Sequence, residues 1–137
     1  MIDLRAEFER ACGSWHGQEF DSLPERVRIL IAIWALEAEV NNGGFDQFFL
    51  NESGDLAWFA PQALERIGAV QMASIVKEAN SAFGSEGPPR EWSARQRRLL
   101  DLTEGHDDYF GPLDARFQDY PDNIAALLVA YLEKESA

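Results

Sequence analysis

Apolar positions recur along most of this chain at the three- and four-residue intervals of an α-helix, and no stretch alternates with period two over a useful length. The pattern predicts a first amphipathic helix over Ile2 to Cys12, with Leu4, Phe8 and Ala11 inward and Gly13 as its stop. A connection from Ser14 to Leu23 carries Trp15 and Phe20. The dominant element then runs from about Pro24 to Asn41. At about 100° per residue, Val27, Leu30, Ile31, Trp34 and Ala38 form one apolar stripe, and Ile29, Ile33, Leu36 and Val40 form a second on the opposite side. A helix apolar on two sides belongs at the centre of a fold, with neighbours on both. Pro24 suits the first turn, where its missing N–H is no loss, and Ser22 is the candidate cap.

The central helix runs into Asn41-Asn42-Gly43-Gly44-Phe45-Asp46-Gln47-Phe48-Phe49-Leu50-Asn51. Gly43 or Asn42 is expected to take the left-handed conformation that ends one helix, and a short new helix to begin at once. Asp46 and Gln47 lie in its first turn as acceptors for free N–H groups, while Phe45, Phe48 and Phe49 anchor it. Further helices are expected over Phe59–Ile67, Val70–Phe83, Ser93–Thr103 (capped by Ser93) and His106–Phe117. In the third of these Leu99, Leu100 and Leu102 are apolar, and Arg95, Arg97 and Arg98 are read as exposed. Gly111-Pro112 disturbs the fourth. Pro121 opens a last helix with Ile124, Leu127, Leu128, Tyr131 and Leu132 on one face. The expectation is an all-α fold of seven or eight helices, residues 1–137 as one domain, with an internal loop near 84–92.

Charge sharpens this picture. The chain has 137 residues, with 24 Asp and Glu against 12 Lys and Arg, for a net charge of -12. Such a chain repels nucleic acid and anionic membrane and attracts basic partners. From Leu99 onward the only cations are Arg116 and Lys134, against Asp101, Glu104, Asp107, Asp108, Asp114, Asp119, Asp122, Glu133 and Glu135. The longest apolar run, Ile29 to Leu36, is too short to span a bilayer. A single cysteine, and an N-terminus with no basic segment followed by an apolar one, point to a reducing compartment, the cytoplasm.

The residues offer little for catalysis. His16 and His106 are the two histidines, and no ligand pair has a metal-site spacing. Cys12 and His16 share an i, i+4 spacing, but Gly13 lies between them and no oxyanion hole is in view. Gly43-Gly44 lacks the flanking residues of a phosphate loop. Glu37 and Glu39 point to different sides of one helix, which favours structural ion pairing over acid–base work. No enzyme, cofactor or metal site emerges.

Asn42-Gly43-Gly44-Phe45-Asp46-Gln47-Phe48-Phe49-Leu50-Asn51, after an apolar helix ending in Glu39-Val40, resembles the signature of a bacterial all-helical family named for DNA mimicry. Its recurring pattern is Asn-Gly-Gly-Phe-x-Gln-Phe/Tyr-Phe-x-Asn. Ala63-Leu64, Ile67-Gly68-Ala69, Ala73, Ile75 and Ala79 look like its continuation. The resemblance covers Pro24 to Phe83 well and the C-terminal helices loosely. It assigns Asn42, Gly43, Gly44, Phe45, Gln47, Phe48 and Asn51 to a structural motif. It implies an acidic, often dimeric protein that sets carboxylates where a basic DNA-binding protein, a transcription factor or nucleoid protein, expects phosphates, without binding nucleic acid or membrane itself. The candidate carboxylates are Asp101, Glu104, Asp107, Asp108, Asp114, Asp119 and Asp122. Two readings stand beside it: a helical interaction or immunity module using Trp58, Phe59 and Trp92, and an enzyme with a polar pocket at Asn41, Asn42, Gln47 and Asn51.

Overall fold

A computed structural model describes residues 1–136. It has seven α-helices, is 71% helical and has no strand among the described residues. The helices are α1 (Leu4–Ser14), α2 (Glu25–Leu50), α3 (Ala60–Arg66), α4 (Val70–Ser81), α5 (Trp92–Thr103), α6 (Gly111–Gln118) and α7 (Ile124–Ser136), with short 3₁₀ turns at Phe20–Ser22 and Glu52–Leu56. α1, α3, α5 and α6 pack on α2, α3 packs on α4, and α4 on α6. The expected all-α architecture around the central helix is what the chain adopts.

The core follows the apolar periodicity closely. Ile29, Ile33, Leu36 and Val40 are fully buried, as are Phe45, Phe48 and Phe49 beyond the glycines. Burying a side chain of this size stabilises a fold by about 1.5–3 kcal/mol. Phe49 joins the limbs of the core, 4.9 Å from the ring of Phe83 and 5.4 Å from that of Phe110. The other stripe of α2 is only partly covered. Leu30 and Ile31 are buried, but Trp34 is 49% exposed and Ala38 is exposed too. Ala11 and Ser14 of the last turn of α1 share a groove with Val27 and Leu30.

Several helix starts differ from the local expectation. α1 begins later and is capped by Asp3, whose carboxylate accepts the Ala6 N–H. Ser22 sits in the 3₁₀ turn and its hydroxyl donates to the Glu19 carbonyl, so Pro24 takes the cap position of α2 with no side-chain bond. Glu91, not Ser93, caps α5 by accepting the N–H groups of Ser93 and Ala94. Residues 104–105 and 107–110 form turns, and Gly111-Pro112 starts α6 rather than disturbing it, because proline is at home in a first turn. Pro121 precedes α7, whose first turn receives the Asn123 side chain through the Ala126 N–H, at 3.0 Å.

Two α5 residues reverse their expected placement. Leu100 is 65% exposed, and Arg95 has no exposed surface at all. The Arg95 guanidinium lies inside the turn after α2. It donates to the carbonyls of Phe49 (2.7 Å), Asn51 (2.9 Å), Pro89 (3.1 Å) and Arg90 (3.0 Å), and pairs with Asp55 at 2.9 Å. A buried arginine is tolerated only when its donors are used in this way.

Candidate functional site: an acidic cleft at the kink of α2

α2 bends at the glycine pair. Gly43 has φ -147°, ψ 16°, and Gly44 has φ 76°, ψ -176°, a combination that side chains strongly disfavour. The positive φ therefore falls on Gly44, not on Asn42 or Gly43. A Cβ on Gly44 would also collide with the Asp114 carboxylate, and one on Gly43 with the Gln47 side chain. Each glycine thus makes room for a particular polar group.

Beyond the kink the backbone restarts as a helix with a free N–H at Phe45. Asp114, in the first turn of α6, accepts it at 2.8 Å. The expected local acceptors do other things. The Gln47 amide folds back to donate to Glu39 at 2.7 Å, and Asn51 donates to the same carboxylate oxygen at 2.9 Å. Asn42 donates to Gln47 at 3.4 Å. Glu37 accepts the Tyr120 hydroxyl at 2.6 Å, and Asn41 donates to that hydroxyl at 2.8 Å. Glu37 and Glu39 are thus held by hydrogen bonds, not by the ion pairs expected of them.

The kink, residues 106–110 and the first turn of α6 line a cleft of about 380 Å³. Its lining carries Asp46, His106, Asp107, Asp108 and Asp114, together with Gly43 and Gly111, and no lysine or arginine. Asp108 lies against Gly111, where a Cβ would strike its carboxylate. Burial pushes the Asp114 carboxyl up; the Phe45 N–H pulls it down, and the charges of Asp108 and Asp46 add to the rise. Among the described residues no three His, Cys, Asp or Glu side chains converge as metal ligands. The chemistry on offer is concentrated negative charge.

A family model for DMP19-like proteins matches residues 21–135. The chain belongs to the DMP19-like family. This is a DNA-mimic family and not a known enzyme family. No curated protein and no solved structure matches the chain. In this DMP19-like protein α1 lies before the matched segment, and α2 through most of α7 lie within it. No helix among the described residues is long and apolar enough to cross a membrane.

The candidate carboxylates divide into three groups. Asp107, Asp108 and Asp114 share the cleft with Asp46, a residue whose position in the sequence suggests only a helix-start acceptor. Asp101 and Glu104 are exposed at the end of α5, following Arg97 at i+4 and i+7. Asp119 lies in another cleft beside Arg116, and Asp122 accepts the N–H groups of Gln71 and Met72 at 2.7 and 2.9 Å, capping α4. Asn41, Asn42, Gln47 and Asn51 do not line the cleft; their amides serve the kink. Of the aromatic anchors, Phe59 is buried, Trp58 is half-buried, and Trp92 is exposed with its indole N–H bound to the Leu50 carbonyl at 2.8 Å. Cys12 is half-buried and burial pushes its thiol up, away from a reactive thiolate.

Proposed function

We propose that this protein acts as a DNA mimic, presenting carboxylates to the nucleic-acid-binding surface of a basic protein partner such as a transcription factor or nucleoid protein. The observation that carries the reading is the cleft in which Asp46, Asp107, Asp108 and Asp114 meet without a lysine or arginine in its walls. A DNA-binding surface is built to exchange counterions for phosphate charge, and clustered carboxylates beside a protein surface offer the same exchange. The net charge of -12 supports the same direction, since it draws a basic partner and keeps nucleic acid away. Asp101 and Glu104 extend the negative surface along α5. Asp122 serves first as a cap, so its share in recognition is secondary.

The test is competition. Purified DNA-binding regulators are titrated with the protein at stepped salt concentrations, with and without duplex DNA. The expected result is a complex that weakens steeply with salt and is displaced by the duplex. Binding that ignores both salt and DNA would overturn the reading.

A further inference from the structure

A further cleft, of about 400 Å³, lies between the end of α1 and the 3₁₀ turn after α2, and shares no lining residue with the acidic cleft. Three aromatic residues, Trp15, Phe20 and Trp58, stand in its walls. The rings of Trp15 and Phe20 meet edge to face at 5.4 Å, and those of Phe20 and Trp58 at 6.5 Å. Glu19, Asp21 and Asp55 stand around them. The Arg90 guanidinium carbon lies 4.1 Å from the centre of the Trp58 ring. At the inner end of the same aromatic row, Arg28 lies 5.2 Å from the centre of Phe59. This row of rings receives guanidinium groups.

The outer position is held loosely. The main chain of Arg90 is fixed, because its carbonyl accepts from the buried Arg95. Among the described residues its side chain makes no hydrogen bond or ion pair, only the stack on Trp58. Glu19 and Asp21 likewise have no ion pair or side-chain hydrogen bond among the described residues. A cation–π contact at an exposed site is weak, whereas a guanidinium that also meets carboxylates gains directed, charge-assisted bonds. The cleft therefore holds an aromatic platform and carboxylates that its own arginine leaves unused.

We propose that this cleft is a recognition pocket for an arginine side chain presented by a basic protein partner, with Arg90 as the resident group that the incoming guanidinium replaces on Trp58. Arginine fits better than lysine because its planar group stacks on indole and offers paired donors to carboxylates. The inference extends the reading of a basic partner to a second point of contact, and its test does not need that partner.

The experiment follows the indole N–H signals of the four tryptophans in ¹⁵N-labelled full-length protein. The probe is the blocked peptide acetyl-Gly-Arg-Gly-amide, and the control is the same peptide with neutral citrulline. The arginine peptide should shift Trp58 and Trp15 in a saturable way and leave Trp34 and Trp92 unmoved. Arg90→Ala, an exposed substitution, should tighten binding about twofold to fivefold, the size of a lost competing cation–π contact. Glu19→Gln with Asp21→Asn should weaken it. An equal response to the citrulline peptide, or no gain from Arg90→Ala, would overturn the proposal. Shifts confined to the amides of Asp107 and Asp108 would also overturn it while leaving DNA mimicry intact. Failure of DNA competition with the Trp58 response preserved would overturn mimicry alone.

Discussion

The carboxylate of Asp114 accepts the backbone N–H of Phe45 at 2.8 Å, across 69 positions of sequence. The bond caps the helix that restarts after the glycine kink, so α6 holds the bend of α2 in place. Asp114→Ala leaves that N–H without its acceptor and should cost about 1–2 kcal/mol. Gly44→Ala should cost about 1–3 kcal/mol, because it strains the backbone and collides with Asp114. Urea unfolding followed by circular dichroism reads both. The double variant should cost less than the sum, since Asp114→Ala removes the group that the added methyl strikes.

Arg95 is a second long-range clamp, with a different expected phenotype. Its guanidinium has four carbonyls and Asp55 as acceptors, and Gly54 lacks the Cβ that would press on it. Arg95→Ala removes a fully buried, fully used cation and strands those carbonyls, a loss of about 3–5 kcal/mol. That is a large part of the total stability of a chain this size. Arg95→Lys should fail to restore it, because one ammonium cannot reach acceptors arranged for a planar fork. A lysine variant that unfolds at the same urea concentration as the native chain would contradict this account.

These clamps also mark what could be read from the sequence and what could not. The helices and the burial of Ile33, Leu36, Phe45 and Phe49 were legible, because each depends on spacing within a few residues. Arg95 read as exposed because its neighbours Arg97 and Arg98 are charged; its acceptors at Phe49 and Asn51 lie 46 and 44 positions away. Asp114 and Asp122 read as free surface charge for the same reason, their N–H partners being on other helices. Trp34 erred in the opposite direction: periodicity marks a side as apolar but does not say whether a neighbouring helix reaches it. Of the site, the acidity of 107–108 was legible, and the fold's placement of Asp46 opposite them was not.

Two groups set an expected pH dependence. Burial raises the Glu37 carboxyl above its ordinary value, with the Tyr120 hydroxyl bond opposing, and burial also raises Asp114. A raised carboxyl holds its proton longer in the folded state than in the unfolded one. Its contribution is therefore fully present below the unfolded value and is lost as pH rises through the folded one. Glu37→Gln should flatten the fall in stability above pH 4.5, measured as the urea midpoint against pH. At the alkaline end, burial and the Glu37 bond push Tyr120 from 10.0 up to about 12. Stability tied to the protonated phenol should fade as pH rises from 10.0 through about 12, and Tyr120→Phe should remove that phase from the tyrosinate absorbance titration.

Recognition by the acidic cleft should separate from stability. Asp107 and Asp108 are exposed, whereas Asp114 and Asp122 each hold a helix start. Asp107→Asn and Asp108→Asn should therefore leave the urea midpoint nearly unchanged and weaken partner binding by about 0.2–1 kcal/mol each. The loss should fall mainly on the association rate and shrink at high salt, as expected for exposed charges that steer a basic surface. Arg97 is the opposing group, exposed on α5 one turn before Asp101 and two before Glu104. Arg97→Ala removes a cation from that negative surface and should strengthen binding by a similar amount. If Arg97→Ala weakened the complex instead, the partner would be reading a mixed surface rather than a phosphate-like one, and α5 would have to be taken out of the recognition face.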